Sequence, residues 1–379
     1  MTLSKTVETM AATPGTDEQI VGLLREALNS NALPGELDGF STAEQDEAAA
    51  FVAAVAARRK PGEVAIQLTS TGGEAGHRRM QLAVVNDDMP FLVDSVASAI
   101  AARGISIHRL LHPIVRASRD GKGNLTALGE GPPESIIYMD LDRADARTRS
   151  ALRAELTQVL ADVRAAVVDW QAMQQRMRDD ADATDDAEGA DLMRWFADGA
   201  MTLLGFEVER PGRAGTDGLG LFRFSGEPTD EGGCEDAIRY FEEGGQVPLM
   251  AKADRKSSIH RRVPLDLVAV PIRENGKITA VGVHVGLWTS EALTAPVERI
   301  PLLRRILKQL DDNFGYTPLS HSGKALRHAL SALPHDLILN LDQDSVRKLV
   351  LAAMTLADRP QPILVLVRSI LRGHLFAFV

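Results

Sequence analysis

One short segment concentrates the positive charge of an otherwise acidic chain. Its side chains are Lys252, Arg255, Lys256, His260 and Arg261. Lysine and arginine hold carboxylates and phosphates through charge-assisted hydrogen bonds, so this basic patch is a candidate anion-binding site. The same charges could equally pair with acidic surface elsewhere in the protein, and a solvated or inter-domain face is the interpretation that we favour.

A second candidate site is a turn between an apolar strand and an amphipathic helix. It comprises Asn86, Asp87, Asp88, Pro90 and Phe91. The turn could hold a small effector at the start of the helix. The helix dipole offers an explanation without a ligand, because a carboxylate near a helix N-terminus contributes about 0.3–1 kcal/mol. We favour capping and packing over ligand binding.

The other reactive side chains form no catalytic or metal-binding pattern. His108 and His112 are four residues apart, but Pro113 favours a strand, where about 3.3 Å per residue separates them too far to share one ion. No serine–histidine–aspartate, cysteine–histidine, zinc or P-loop pattern occurs. The lone Cys234 permits no internal disulfide, which favours a reducing cytoplasm. We therefore expect no catalytic residue and no metal ligand.

A dinucleotide-binding motif is also missing. Such a site needs glycines at a strand-to-helix turn, so that backbone N–H groups can approach the pyrophosphate. Gly218 and Gly220 come closest, but a third glycine is absent and a strand follows. We expect no cofactor-binding residue in this chain.

Composition excludes two classes of partner. The 379 residues carry a net charge of −10, and both nucleic acid and an anionic membrane face attract basic surfaces. No apolar run approaches the roughly 18 residues of a membrane span. An apolar fraction of 45% and this length predict two or three globular domains.

Local patterns predict the elements that hold the turn. Ser41, with Glu44 three residues later, has the spacing of a capping box. Alternating apolar residues at 64–68 and 80–84 predict two strands paired as a hairpin through a Gly-rich turn. Asp87 or Asp88 suits the cap of the following helix, and the apolar positions from 105 to 115 predict one continuous strand.

Further along, residues 179–191 contain seven acids and no base, which predicts an exposed linker. Asn275-Gly276 between apolar runs predicts a hairpin. His284 lies on a strand face of small residues, which permits either a ligand or a closely packed helix, and we favour the helix. Residues 301–357 read as helices, followed by two short strands.

Several segments resemble the N-terminal part of the large NAD-specific glutamate dehydrogenases of bacteria. They include NDDMPFLVDS (86–95), LLHPIVRASRDGKG (110–123), LMRWFADGAMTLLGF (192–206), KADRKSSIHR (252–261) and IPLLRRIL (300–307). The resemblance implies ACT-like domains in the front half of the protein, and an ACT loop usually carries a glycine where a ligand lies against the backbone. Phe91 stands at that position here, and its ring would close the approach.

The resemblance also implies the parent reaction, in which L-glutamate and NAD give 2-oxoglutarate, ammonia and NADH. The chain lacks the motifs for that chemistry, so we expect an inactive regulatory or oligomerisation portion, with NAD required only by the full-length family. Expected partners are the remainder of the dehydrogenase, further copies of the chain and an amino-acid effector. The alternatives are a free-standing amino-acid-sensing ACT regulator and a ligand-free assembly scaffold.

We therefore expect an α+β protein of tandem ACT-like (ferredoxin-like βαββαβ) sandwiches joined by helical segments. The predicted divisions are N-terminal helices and a hairpin strand at 1–78, a first ACT-like domain at 79–178, an acidic linker at 179–191, a second ACT-like domain at 192–300, a helical connector at 301–358 and the start of a third, truncated unit at 359–379.

Overall fold

The chain folds into mixed α and β structure with antiparallel sheets. A computed structural model describes residues 18–70, 79–223, 233–358, 363–371 and 373–378. These residues form two compact units. The N-terminal unit takes in the described residues up to Ala161 together with Ser258–Arg261, and the C-terminal unit takes in the rest.

The N-terminal unit is built around a five-stranded sheet. Its helices are α1 (Glu18–Ser30), α2 (Thr42–Ala56), α3 (Leu92–Ala101) and the first part of α4 (Ala146–Asp182). Its strands are β1 (Ala65–Ser70), β2 (Arg79–Asp87), β3 (Ile107–Leu111), β4 (Ile114–Arg119) and β5 (Leu125–Asp142). The strand order is β1-β2-β5-β3, and β4 pairs with the first part of β5.

Two local predictions for this unit are confirmed. Ser41 and Glu44 form the capping box at the start of α2. Strands β1 and β2 pair antiparallel, with Leu68 opposite Leu82, while the turn predicted between them lies in 71–78, outside the described residues. The single strand predicted over 105–115 is wrong, because the chain breaks at Pro113, which has no N–H to donate to a ladder.

The C-terminal unit contains a second five-stranded sheet and most of the helices. Its helices are the remainder of α4, α5 (Ala187–Trp195), α6 (Gly233–Glu242), α7 (Ser290–Thr294), α8 (Leu303–Phe314), α9 (His321–Ser331), α10 (His335–Ile338) and α11 (Gln343–Asp358). Its strands are β6 (Met201–Arg210), β7 (Arg213–Gly220), β8 (Leu249–Lys256), β9 (Pro264–Glu274) and β10 (Lys277–Trp288), with a separate hairpin of β11 (Val365–Arg368) and β12 (Leu375–Phe378). The sheet order is β7-β6-β10-β9-β8. Among the described helices, none is long and apolar enough to cross a membrane.

Two predictions for this sheet are also confirmed. Strands β9 and β10 form the hairpin predicted from Asn275-Gly276, whose φ angles of 52° and 80° suit a tight two-residue turn. The small-residue face of β10 is covered by a helix. His284 on that face is fully buried, and its Nε2 lies 2.7 Å from the Asp180 carboxylate of α4.

The segment 179–191 is not the exposed linker that its composition predicts. Helix α4 continues to Asp182 and α5 begins at Ala187, so most of the segment is helical. Its acids Asp186 and Glu188 form ion pairs with Arg305 and Arg304. Pairing removes the self-repulsion on which the linker prediction depended. Its use as a domain boundary stays a prediction.

Gly189 allows α5 to approach the chain before β8. A Cβ at this position would meet the carbonyl of Val247, which is backbone and cannot rotate away. We expect Gly189→Ala to destabilise the C-terminal unit by at least about 1–3 kcal/mol, as overpacking typically does. Gly22→Ala is the control, because that exposed helical glycine has nothing within 4 Å of its Cβ position. The control should stabilise by up to about 1 kcal/mol. Thermal unfolding of both variants measures the difference, and equal shifts would refute the close approach.

Candidate functional site at the start of helix α3

The structure divides the predicted turn into buried and exposed parts. Asn86 is buried at the end of β2. Asp87 neither caps α3 nor faces solvent freely, because its carboxylate lies 2.8 Å from Arg59 Nη1 and accepts a hydrogen bond from the Gly62 N–H at 2.9 Å. Asp88 and Pro90 are exposed. Only the second half of the turn is therefore accessible to a ligand.

A buried ion network anchors the first half of the turn. Glu134 accepts hydrogen bonds from Arg59 at 2.5 Å and from both sides of the Arg119 guanidinium at 2.7 Å. The side chains of these three residues are between 2% and 7% exposed. Burial alone would raise the pKa of Glu134, but the hydrogen bonds and charges of Arg119 and Arg59 outweigh it and hold this pKa below its ordinary value.

Helix α3 begins without the aspartate cap that the sequence predicts. Its N-cap residue is Phe91, and no side chain caps the helix there. Phe91 has a φ of 72°, in the left-handed region that a bulky residue rarely adopts and glycine adopts freely. The backbone at Phe91 thus has a conformation that glycine adopts more readily than phenylalanine.

An open cleft of about 550 Å³ lies beside this uncapped end. It is lined by Asp88, Met89, Pro90, Phe91, Leu92, Val93, Asp94, His112 and Ile114. The first helical hydrogen bond runs from the Ser95 N–H to the Phe91 carbonyl, so the N–H groups before Ser95 have no partner within the helix. Unpaired N–H groups at a helix N-terminus attract carboxylates.

The cleft also carries acidic groups. Asp88 and Asp94 are both exposed on its wall. His112 bonds Ser135 Oγ at 2.6 Å, and burial lowers the pKa of His112 although Asp88 opposes the shift. The imidazole is therefore neutral at pH 7. Helix N–H groups beside exposed carboxylates provide the two kinds of partner that an amino-acid zwitterion needs.

One residue of the predicted basic patch, His260, contacts the turn and the start of α3. Its Nδ1 lies 2.8 Å from the Asp94 carboxylate, and its N–H donates to Ser95 Oγ at 2.9 Å. Its ring packs on Phe91 with centroids 5.5 Å apart. The sequence treats the turn and the patch as separate candidates, whereas the structure brings His260 to the start of α3.

The rest of the basic patch does not form one anion site. Lys252 lies 2.6 Å from the Asp266 carboxylate and 2.5 Å from that of Asp336, so its charge is already neutralised. Arg255 and Lys256 are exposed, and Arg261 belongs with His260 to the N-terminal unit. Exposed Arg255 and Lys256 fit the favoured interpretation of a solvated face, whereas Lys252 matches the alternative of pairing with acidic residues elsewhere.

Among the described residues, the glycines nearest to a dinucleotide motif and the histidines nearest to a metal pair have other roles. A Cβ on Gly220 would meet the Leu204 carbonyl, and the Gly220 N–H donates to the Asp169 carboxylate at 2.9 Å. This glycine therefore serves packing within the sheet rather than a pyrophosphate. His108 bonds Asp142 at 2.6 Å, and no cluster of three metal-ligating side chains occurs in the described part of the chain.

Comparison with known proteins identifies the chain's relatives. The family model described as glutamate dehydrogenase, ACT1 domain, matches residues 25–156, and that described as glutamate dehydrogenase, helical motif 1, matches residues 300–359. NAD-specific glutamate dehydrogenases from Halomonas elongata and Pseudomonas aeruginosa are 26% and 28% identical over 73% and 76% of this chain. The enzyme of the same name from Mycobacterium tuberculosis is 24% identical over 75% of it. The matches cover only 18–20% of each relative's length. The chain corresponds to the N-terminal region of the NAD-specific glutamate dehydrogenase family.

Proposed function

We propose that this chain is the N-terminal regulatory and oligomerisation portion of an NAD-specific glutamate dehydrogenase. The observation that carries the regulatory role is the uncapped start of α3, where helix N–H groups, Asp88 and Asp94 line one cleft. An amino acid binds there with its carboxylate on the N–H groups and its ammonium near Asp88. Asp94 is shared with His260, which leaves Asp88 as the principal ammonium partner.

Both sheets are proposed to be ACT-like units of a tandem. In the first sheet, with the order β1-β2-β5-β3, strand β2 lies between its hairpin partner β1 and strand β5, and β3 lies on the other side of β5. Along the second sheet β7-β6-β10-β9 repeats that order, and α6 lies between β6 and β9 in the chain as α3 lies between β2 and β3. Strand β8 is an addition at the edge. The predicted domain limits and a third unit from residue 359 are part of this proposal.

The parent reaction is proposed to take place outside this chain. That reaction is oxidative deamination of L-glutamate to 2-oxoglutarate and ammonia, with NAD as the hydride acceptor. The absence of a G-x-G-x-x-G motif and the packing role of Gly220 support an inactive fragment. We expect the purified chain to form no NADH from L-glutamate and NAD, measured at 340 nm; turnover above a no-protein control would refute this part.

Calorimetric titration of the chain with individual L-amino acids tests the effector site. At least one should release or absorb heat, and its decarboxylated amine should bind at least about tenfold more weakly, because charge-assisted hydrogen bonds contribute about 1.5–3 kcal/mol each. Asp88→Asn should weaken binding by a similar factor. Asp38→Asn, which alters an exposed aspartate of the same unit outside the cleft, is the matched control. Absence of heat with every amino acid would eliminate the sensor function.

A ligand-free assembly scaffold is the second candidate. It is favoured by the contacts of His260 with Asp94 and Phe91, because they already occupy part of the wall that a ligand would use. The calorimetric titration with amino acids also distinguishes the scaffold from the amino-acid sensor. A scaffold would show no heat with any amino acid, yet its oligomeric state would persist in sedimentation velocity.

A further inference from the structure

The C-terminal unit contains a second cleft, distinct from the one at α3. Its volume is about 640 Å³, within the range of small-molecule sites. Helix α8 lines it from Ile306 to Phe314, the segment from Leu339 through the first turn of α11 lines it as well, and Tyr240 of α6 contributes a further side chain. Neither the family matches nor the proposed amino-acid site assigns a ligand to it.

The floor of this α8–α11 cleft is apolar. It is formed by Ile306, Leu310, Phe314, Leu339, Leu341, Val346 and Ile370. Val346 is 1% exposed, and Leu310 and Leu339 are each 4% exposed, so the floor is fixed by the core of the unit. Its partly exposed members Ile306, Phe314 and Ile370 supply apolar surface that the hydrocarbon or aromatic part of a ligand can remove from water.

The rim of the cleft presents hydrogen-bond donors with free capacity. The Arg347 guanidinium comes only within 3.9 Å of the Asp344 carboxylate, which is too long for a hydrogen bond. Tyr240 accepts a hydrogen bond from the Gln246 N–H at 2.9 Å, so its own O–H can still donate. A guanidinium with unused N–H groups is the side chain best suited to a carboxylate.

The charge of the rim disfavours a ligand that carries more than one negative charge. Asp342 and Asp344 stand at the same mouth as Arg347, so these three groups sum to −1. A single carboxylate can pair with Arg347, but a second anionic group would meet the two aspartates without a cation. Phosphates and dicarboxylates are therefore disfavoured.

We propose that the α8–α11 cleft binds an apolar monocarboxylate. Its carboxylate pairs with Arg347 at the mouth, and its aliphatic or aromatic body lies on the floor against Phe314. The site is independent of the amino-acid cleft at α3, and the proposal stands whether or not that cleft binds a ligand.

Calorimetric titration of the full chain with 4-phenylbutyrate tests this proposal. We expect saturable binding, and at least about tenfold weaker binding of the neutral 4-phenylbutyramide, since only the acid makes charge-assisted hydrogen bonds. Arg347→Gln should reduce the affinity for the acid by a similar factor. Arg213→Gln, which removes an exposed arginine from β7 outside the cleft, should leave the affinity unchanged.

A second variant tests the location without removing the charge. Asn313 is exposed on α8 at the rim, where a tryptophan would fill the mouth without disturbing the core. Asn313→Trp should abolish binding while thermal unfolding stays unchanged. No binding of 4-phenylbutyrate by the wild-type chain, equal affinity for acid and amide, or binding unaffected by both Arg347→Gln and Asn313→Trp would each overturn the proposal.

Discussion

Replacing Glu134 by alanine should lower the free energy of unfolding of the N-terminal unit by about 3–5 kcal/mol, the usual loss when one member of a buried ion network is removed. The variant leaves Arg59 and Arg119, whose side chains are 2% and 7% exposed, without their shared carboxylate. Arg59 also holds Asp87 of the turn, so the variant weakens the support of the candidate site. Urea unfolding at pH 7 followed by circular dichroism measures the loss.

The effect of Glu134→Ala should shrink in acid. The pKa of Glu134 is below its ordinary value of 4.5, so its contribution is present above that value and is lost as the pH falls through the folded-state pKa. Glu130→Ala is the matched control, because Glu130 lies on the same strand but is exposed. The control should change stability by less than about 0.5 kcal/mol. A loss in Glu134→Ala no larger than in the control would show that the network does not stabilise the unit.

Replacing Lys252 by methionine should cost about 3–5 kcal/mol at pH 7.5, because the buried carboxylate of Asp266 and the partly buried one of Asp336 would face each other without a cation. Burial raises the pKa of Asp266 to about 6, although Lys252 lowers it. Because the pKa of Asp266 is higher in the folded state, protonation of Asp266 stabilises the fold. This contribution is fully present below pH 3.8, the ordinary pKa of aspartate, and is lost as the pH rises through about 6. The defect of Lys252→Met should therefore be smaller at pH 5 than at pH 7.5.

The control for this variant is Lys256→Met, an exposed lysine on the same strand β8. It should change the stability by less than about 0.5 kcal/mol at either pH. Urea midpoints of both variants at pH 5 and pH 7.5 give the comparison. A Lys252→Met defect that is equal at both pH values would contradict the assignment of buried, titrating carboxylates around Lys252.

Local sequence signals predicted local structure in this chain. The capping box at Ser41 and the hairpin at Asn275-Gly276 form because each depends on a few adjacent residues. The position of the candidate effector turn was also predictable, since the apolar strand and the helix stripe on either side are periodic. The left-handed conformation of Phe91 was not predictable from the sequence, because a bulky residue rarely adopts it.

Pairing between distant charges was not predictable from one sequence. The acids at 186–191 read as an exposed run, although arginines at 304 and 305 neutralise several of them. Asp87 reads as a helix cap, although Arg59 and Gly62 bind its carboxylate. His260 was grouped with Lys252 by sequence distance, whereas its contacts are with Phe91, Asp94 and Ser95. The available signal was weak: Glu134 stands two residues before the apolar run that begins at Ile136 in β5.

The central proposal is that the start of α3 binds an amino acid through its N–H groups. Two-dimensional ¹⁵N–¹H NMR of the labelled chain, titrated with the amino acid that gives heat in calorimetry, observes those groups directly. We expect the largest saturable shifts at the amides of Leu92, Val93 and Asp94, and their loss in Asp88→Asn. Saturable shifts confined to other residues, or unchanged spectra with every L-amino acid, would contradict the account.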